Sequence, residues 1–299
     1  MSGDAYYQNV SLLLHCDGTD GSTTFTDSSP TPKTVAVTGN AHVETDQYKF
    51  GTASAYFDGT GDYCQIANNA ALNNFGTDDF TIECWARFSN TGSYYTLLSC
   101  WTTWNTSAAY ELLATNTGRI VFFGGNSVPI NIQSNINTAI TNTWIHIAAC
   151  RASGTTRLFV DGSSVGTPHV GSVSINNGAA LIIGASSDGS AGHYGYLDDI
   201  RITKGVARYT ADFTPPTVAF PNFAGQIAGV ITDDASDPVA RVVRAYRRDT
   251  GALVGNTTSS AVDGSYSMDL TTLEQCSVIA LDDAAGDLFN DLIARVTPA

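Results

Sequence analysis

The sequence predicts an all-β chain in two parts, a large pair of stacked sheets followed by a small one. Three observations predict it. Helical periodicity is almost absent, short runs of alternating apolar and polar residues recur along the whole chain, and Gly, Asn, Asp or Ser bound most of these runs. The clearest run is Phe80 to Phe88. Phe80, Ile82, Cys84, Ala86 and Phe88 fall on one side, and Thr81, Glu83, Trp85 and Arg87 on the other, which predicts a strand with one face in a core and the other outside it.

Further strands are predicted over Val10–His15, Ala53–Asp58, Tyr63–Ile66, Thr96–Cys100, Arg119–Phe123, Trp144–Arg151, Thr156–Val160, Ala180–Gly184 and Tyr196–Thr203. The pairs Asp58-Gly59, Asp161-Gly162 and Asn177-Gly178 supply turns, because Asp, Asn and Gly tolerate the left-handed backbone that tight hairpins need. So many short strands suit two antiparallel sheets of jelly-roll type. In TPPTVAFPN three prolines fall in a short span that cannot continue a central strand, so residues 214–223 are expected to link a domain at 1–213 to one at 224–299. The second domain is predicted from strands at Gly225–Thr232, Val239–Arg247, Leu253–Ser260, Ser265–Leu270, Cys276–Leu281 and Asp291–Thr297, a small β-sandwich.

Composition narrows function by exclusion. A net charge of −14, with acid excess in both parts, argues against nucleic acid and anionic membrane surfaces, which need a basic field. No run of about 18 apolar residues is present to insert into a bilayer. Met1 to Tyr7 lack the basic start and apolar stretch of a secretory signal, so synthesis into a cytoplasm is expected. Cys16, Cys64, Cys84, Cys100, Cys150 and Cys276 show no paired metal-site spacing; buried thiols are expected, with disulfides formed after release as the alternative.

Four segments of the first domain carry a resemblance: LLLHCDGTDGSTTFTDSSP, KFGTASAYFDGTGDYCQI, DFTIECWARF with WIHIAACRASGTTRLFVDG, and YLDDIRITKGVARYTADFTPP. Together they resemble the laminin-G-like, concanavalin A-like jelly rolls of tailed-phage structural proteins, with the last segment the most specific. Cys16, Cys84 and Cys150 stand where relatives tend to carry Phe, Leu or Val. In the second domain GQIAGVITDD, DPVARVVRAYRRDTGALV and VDGSYSMDL resemble a carboxypeptidase-regulatory, transthyretin-like (Ig-like) sandwich. The resemblance implies a virion protein assembled in the host cytoplasm, on the tail tip, baseplate or head surface. Its expected partners are other virion proteins and a host surface glycan, and it is expected in several copies per particle or as a homo-oligomer. Capsid decoration with a purely structural role, and glycan cleavage, are the rival readings.

Cleavage ranks last. Related jelly-roll glycosidases use a Glu-x-Asp-x-x-Glu strand, and the one partial match, Glu44 to Lys49, puts a lysine where the second acid should stand. His15, His42, His146, His169 and His193 have no metal-ligand spacing, and no catalytic residue is assigned. The resemblance also makes Asp17 and Asp198 candidate ligands of a structural calcium. Period-two alternation sets Asp198 beside Ile200 and Ile202, facing inward, where a bare carboxylate needs a cation or loop amides. For ligand binding, Tyr94, Trp101, Trp104 and Tyr110 combine with the polar loop Ser186–Tyr194, including His193 and Tyr194, into a candidate recognition edge. Arg241, Arg244 and Arg247 are candidates for docking to an acidic neighbour, the alternative being charges that protect an exposed edge strand.

Overall fold

The computed structural model describes residues 3–102, 109–126, 129–233, 236–281, 290–296 and 298. It divides into two units: Asn9–Phe220, and the chain from Pro221 onward together with the N-terminal residues up to Gln8. The boundary, between Phe220 and Pro221, falls within residues 214–223, and the residues up to Gln8, expected in the large domain, group with the small one.

The first unit is two antiparallel sheets. One runs Ser163–Val170, Thr155–Val160, Trp144–Ala152, Phe80–Phe88, Tyr194–Lys204, Ser54–Asp58 and His42–Glu44, with Val10–Leu14 also paired to Tyr194–Lys204. The other runs Ile130–Gln133, Ile120–Gly125, Ala109–Ala114, Tyr95–Cys100, Leu181–Ile183, Tyr63–Ile66 and Ala36–Thr38. Between them lies one core that takes the inward residues of both, among them Phe80, Ile82, Cys84, Ala86 and Phe88 from the strand with the clearest alternation. At Asp161-Gly162 both residues have positive φ, 47° and 77°, the primed-turn geometry that joins Thr155–Val160 to Ser163–Val170.

Two expectations about this sheet are corrected. Three of the four outward residues of Phe80–Phe88 are covered: Thr81, Glu83 and Trp85 are buried, while Arg87 stays partly exposed. Residues 206–220 cross that face as a strap. The Arg208 amide donates to Thr81 Oγ1 at 2.9 Å, the Tyr209 hydroxyl to Glu83 Oε2 at 2.9 Å, and the Tyr209 and Phe213 rings stack 3.6 Å apart, with Phe213 edge-on to His146 and Phe159. This packing is why the first unit extends through Phe220. Secondly, Asp198 does not share a side with Ile200 and Ile202. Asp198 pairs with Trp85 but Arg201 with Glu83, so the strand carries an extra residue, taken up at Asp199 with φ 44°. Leu197, Ile200 and Ile202 face the core, and Asp198 lies opposite the outward Trp85.

All six cysteines are buried free thiols. Burial pushes Cys64, Cys100 and Cys150 up to about 12, which keeps them protonated at neutral pH.

The second unit pairs Gly225–Val230 with Ser265–Leu270, and orders Leu253–Thr258, Val242–Arg247, Cys276–Leu281 and Asn290–Val296 in a four-stranded sheet. Ile227, Val243, Ala245, Met268, Leu270 and Val278 form its core. Val242–Arg247 lies between two neighbours, so Arg244 and Arg247 do not protect an edge strand.

Candidate functional site

On the outer face of the sheet that contains Tyr63–Ile66 and Leu181–Ile183, alternation drives Cys64, Ile66, Leu181 and Ile183 into the core and leaves Tyr63, Gln65 and Ile182 outside. Trp101 follows directly on Cys100, the buried end of the neighbouring strand. Above them folds the loop after Ala185, closed by a hydrogen bond from the Gly189 amide to Ser186 O at 2.8 Å and one from the Ser186 amide to Ser190 O at 2.9 Å. These elements enclose a depression of about 480 Å³, lined by Tyr63, Gln65, Trp101, Thr102, Ile182 and Asp188 with the loop serines and glycines. Its volume falls within the range of small-ligand sites, and its lining is more polar than apolar.

The loop is tied to the sheet rather than hanging over it. Ser187 Oγ accepts from the Trp101 amide at 3.1 Å and pairs with Ser99 Oγ at 3.0 Å. Beneath, Glu111 is buried, and its Oε1 accepts from Thr96 Oγ1 at 2.9 Å and from the Ser186 hydroxyl. Burial, against these hydroxyls, raises the Glu111 carboxyl above its usual range, and the charge of Asp188 adds to it. Asp188 itself is lowered by the hydroxyl and then the amide of Ser190, which donate at 2.6 and 2.9 Å, so it stays ionised at the rim.

The structure thus brings Trp101 together with the Ser186–Gly189 part of the predicted recognition edge. It does not bring the rest. Tyr94 and Tyr194 are exposed but do not line the depression, and Trp104 lies outside the described residues. Tyr110 is corrected to a core residue: it is fully buried and its hydroxyl donates to Leu72 O at 2.8 Å. His193 is corrected likewise, buried with its ring 5.2 Å from Phe88 and 6.0 Å from Phe57. Tyr63 and Gln65 went unassigned although alternation alone sets them outward. Glu111 gave no signal, since its place under the loop is set by strand pairing.

The sequence profile described as the concanavalin A-like lectin/glucanases superfamily matches residues 58–208. The chain belongs to this superfamily. Solved structures of similar fold include the binding domain of botulinum neurotoxin serotype D, with 13% identity, 93% of this chain and 72% of that chain covered, and a TM-score of 0.50. The binding domain of botulinum neurotoxin DC in complex with SialylT has the same four values. The structure HCR/D-Sa-GBL1/C gives a TM-score of 0.54 at 13% identity, over 93% of this chain and 73% of that one. At these identities the likeness is one of fold. No protein with a curated description matches the chain.

In this lectin/glucanase-type unit the aspartates expected to hold calcium hold backbone instead. Asp198 Oδ2 accepts from the amides of Lys49 at 2.7 Å and Phe50 at 3.0 Å, and Oδ1 from the amide of Asp199 at 2.7 Å. Asp17 Oδ1 accepts from the amides of Thr52 at 2.6 Å and Ala53 at 3.2 Å and from the Thr52 hydroxyl at 3.1 Å. Donor N–H groups converge where a cation would sit. Calcium requires six to eight oxygens, and among the described residues no cluster of three or more His, Cys, Asp or Glu could hold a metal. The donor set does not fit the ion.

The docking candidates separate. Arg247 is committed to Asp249, with Nε donating to Oδ1 at 3.0 Å and Nη2 to Oδ2 at 2.5 Å. Arg241 Nη1 donates to Ala240 O at 3.0 Å, and Arg244 is partly exposed on the side away from the buried Val243 and Ala245.

Proposed function

We propose that the first unit is a non-catalytic carbohydrate-binding module, and that the chain serves on a phage particle, in several copies, as an adhesion component that meets a host surface glycan. The observation that carries the binding reading is the depression at Trp101. An indole and a tyrosine lining the same depression offer apolar faces to the C–H side of a sugar ring, while Gln65, Asp188 and the loop serines offer hydroxyl partners. In support, a domain of similar fold has been solved in complex with SialylT. What supports the non-catalytic reading is that two-carboxylate hydrolysis needs both carboxyl groups at the scissile bond. Asp188 lines the depression, whereas Glu111 lies beneath the loop with Thr96 and Ser186 on its oxygen. The phage reading rests on YLDDIRITKGVARYTADFTPP, whose second half is the strap that seals the outer face.

A glycan array probed with the full chain and with Trp101→Ala tests the binding reading. Hits with the wild type that vanish in the variant are expected; identical patterns, or no hits with either, reject it. Release of reducing ends from any bound glycan would overturn the non-catalytic part, and absence of the chain from purified particles the virion part.

A further inference from the structure

The opposite sheet carries a second feature with the chemistry of a binding surface. Strand register places His42 beside Tyr56, Tyr56 beside Tyr196, Tyr196 beside Arg87, and Arg87 beside Trp144. Five side chains from five adjacent strands therefore stand in one row. All five point away from the core, because their chain neighbours Val43, Ala55, Phe57, Leu197, Ala86, Phe88 and Ile145 point into it. All five are partly exposed, since the strap covers only the part of the face nearer Thr81 and Glu83. At about 4.8 Å per strand the row is about 19 Å long.

The rings touch in sequence. His42 and Tyr56 have centroids 5.4 Å apart, Tyr56 and Tyr196 5.1 Å, and Trp144 and Tyr196 6.5 Å, with planes inclined by 58°, 50° and 55°. Such a ridged row does not fit a flat crystalline surface. It fits a soluble chain that twists from one sugar to the next.

Arg87 supplies the specificity. Its guanidinium lies 5.4 Å from the Tyr196 ring centroid, and among the described residues it has no carboxylate or hydrogen-bond partner. The chain has 28 acidic residues to 14 Lys and Arg, and other arginines are paired: Arg201 with Glu83, Arg247 with Asp249. A guanidinium held on a ring with its fork open is suited to a carboxylate, which it can take by two parallel hydrogen bonds. The other end of the row is acidic. His42 Nε2 lies 3.6 Å from Glu44 Oε2, and the charges of Glu44 and Asp46 reach Tyr196.

We propose that this row is a second glycan site, distinct from the Trp101 depression, which binds an extended acidic polysaccharide with a uronate over Arg87 and a neutral sugar toward His42. The charge order along the row selects a chain in which acidic and neutral sugars alternate.

Affinity electrophoresis of the full chain tests this, with hyaluronan, an alternating uronate and N-acetylhexosamine polymer, as the probe and dextran as the neutral control. Retardation by hyaluronan and not by dextran is expected, weakening as salt is raised. Arg87→Gln, which removes no hydrogen bond of the fold, should weaken it roughly tenfold or more, and Tyr196→Ala should weaken it as well. Arg87→Lys, which keeps the charge and loses the fork, should fall between wild type and Arg87→Gln. Trp101→Ala should leave hyaluronan retardation intact while losing its array hits, which separates this site from the first. No retardation by hyaluronan, equal retardation by dextran, indifference to Arg87→Gln, or loss of retardation in Trp101→Ala would each overturn the proposal.

Discussion

Arg201 sets its Nε 2.9 Å and its Nη2 2.8 Å from the same oxygen of Glu83, Oε1, across the strand pair that the extra residue at Asp198–Asp199 brings into register. Both side chains are buried, and Glu83 Oε2 is taken by the Tyr209 hydroxyl at 2.9 Å and faces His146 Nε2 at 3.2 Å. Arg201 also lies over Phe220, 3.6 Å from its ring centroid. A buried carboxylate on a sheet face thus gathers cation, imidazole and phenol, and so holds the strap down.

Removing that carboxylate leaves a buried guanidinium without a counter-charge. Glu83→Gln is expected to cost about 3–5 kcal/mol of folding stability, read as a lower urea midpoint at neutral pH with an unchanged slope. A loss below about 1 kcal/mol would mean that the pair behaves as a surface ion pair and does not fasten the strap.

Two buried groups withdraw stability from the first unit as pH falls, and His193 acts at the higher pH. Burial, against a weak contact to Tyr196 O, lowers its pKa from 6.5 to about 4. The folded value lies below the unfolded one, so the unfolded chain takes the proton first; the His193 contribution is full above pH 6.5 and falls as pH drops toward 4. Asp198, raised by burial to about 7, contributes in the opposite direction over the same window. A shift of that size corresponds to about 3 kcal/mol. His193→Phe, which keeps a ring between Phe57 and Phe88, should remove this loss, so that on going from pH 6.5 to 4 its melting temperature changes less unfavourably than that of the wild type. A pH profile identical to wild type would remove His193 from the account.

Glu83 acts at the lower pH. Burial alone would raise its carboxyl, but Arg201 and then His146 outweigh burial and hold it at about 2 against an ordinary 4.5. Its contribution is present above pH 4.5 and is lost as pH falls toward 2. In Glu83→Gln the lower limb of the melting profile should therefore flatten while the His193 limb persists. Both limbs disappearing together would show that the two groups do not titrate independently.

The reach of sequence reasoning here was set by the range of each interaction. The alternation of Phe80–Phe88 fixed which side chains face the core, because period two is local. Burial of the other side depends on Tyr209, Phe213 and Phe220, more than 100 positions away, and no window on the strand contains them. At Asp198 alternation misled, since one extra residue puts the two halves of the strand out of phase with each other. The aromatic segment from Tyr94 to Tyr110 contained Trp101, which lines the depression, but could not separate it from Tyr110, which pairs with the inward Cys100 and shares its side. The row from His42 to Trp144 was invisible because it exists only across strand register.

Chelation should leave the first unit unchanged. The amides of Lys49, Phe50 and Asp199 already occupy both oxygens of Asp198, and those of Thr52 and Ala53 one oxygen of Asp17. The melting temperature in excess chelator is expected to match that in added calcium, while Asp198→Ala, which orphans three amides, should lower it by several degrees, about 1–3 kcal/mol per unsatisfied buried group at the upper limit. A calcium-dependent rise in melting temperature would restore a metal to these aspartates.

The strap should also depend on a glycine it touches. Gly162 has φ 77°, its carbonyl accepts the Phe213 amide at 2.9 Å, and a Cβ there would run into the Phe213 carbonyl oxygen. Gly162→Ala therefore carries two penalties, the left-handed backbone and the displacement of Phe213 from its stack on Tyr209. Gly21 isolates the first, since its φ is 73° and a Cβ there meets nothing within 4 Å. Gly21→Ala should cost about 1 kcal/mol. Gly162→Ala should cost clearly more and speed hydrogen exchange at the amides of Arg208 and Phe213. Equal costs for the two substitutions, with exchange at Arg208 unchanged, would show that the strap is held without the turn at Asp161-Gly162 and that the cluster around Glu83 suffices alone.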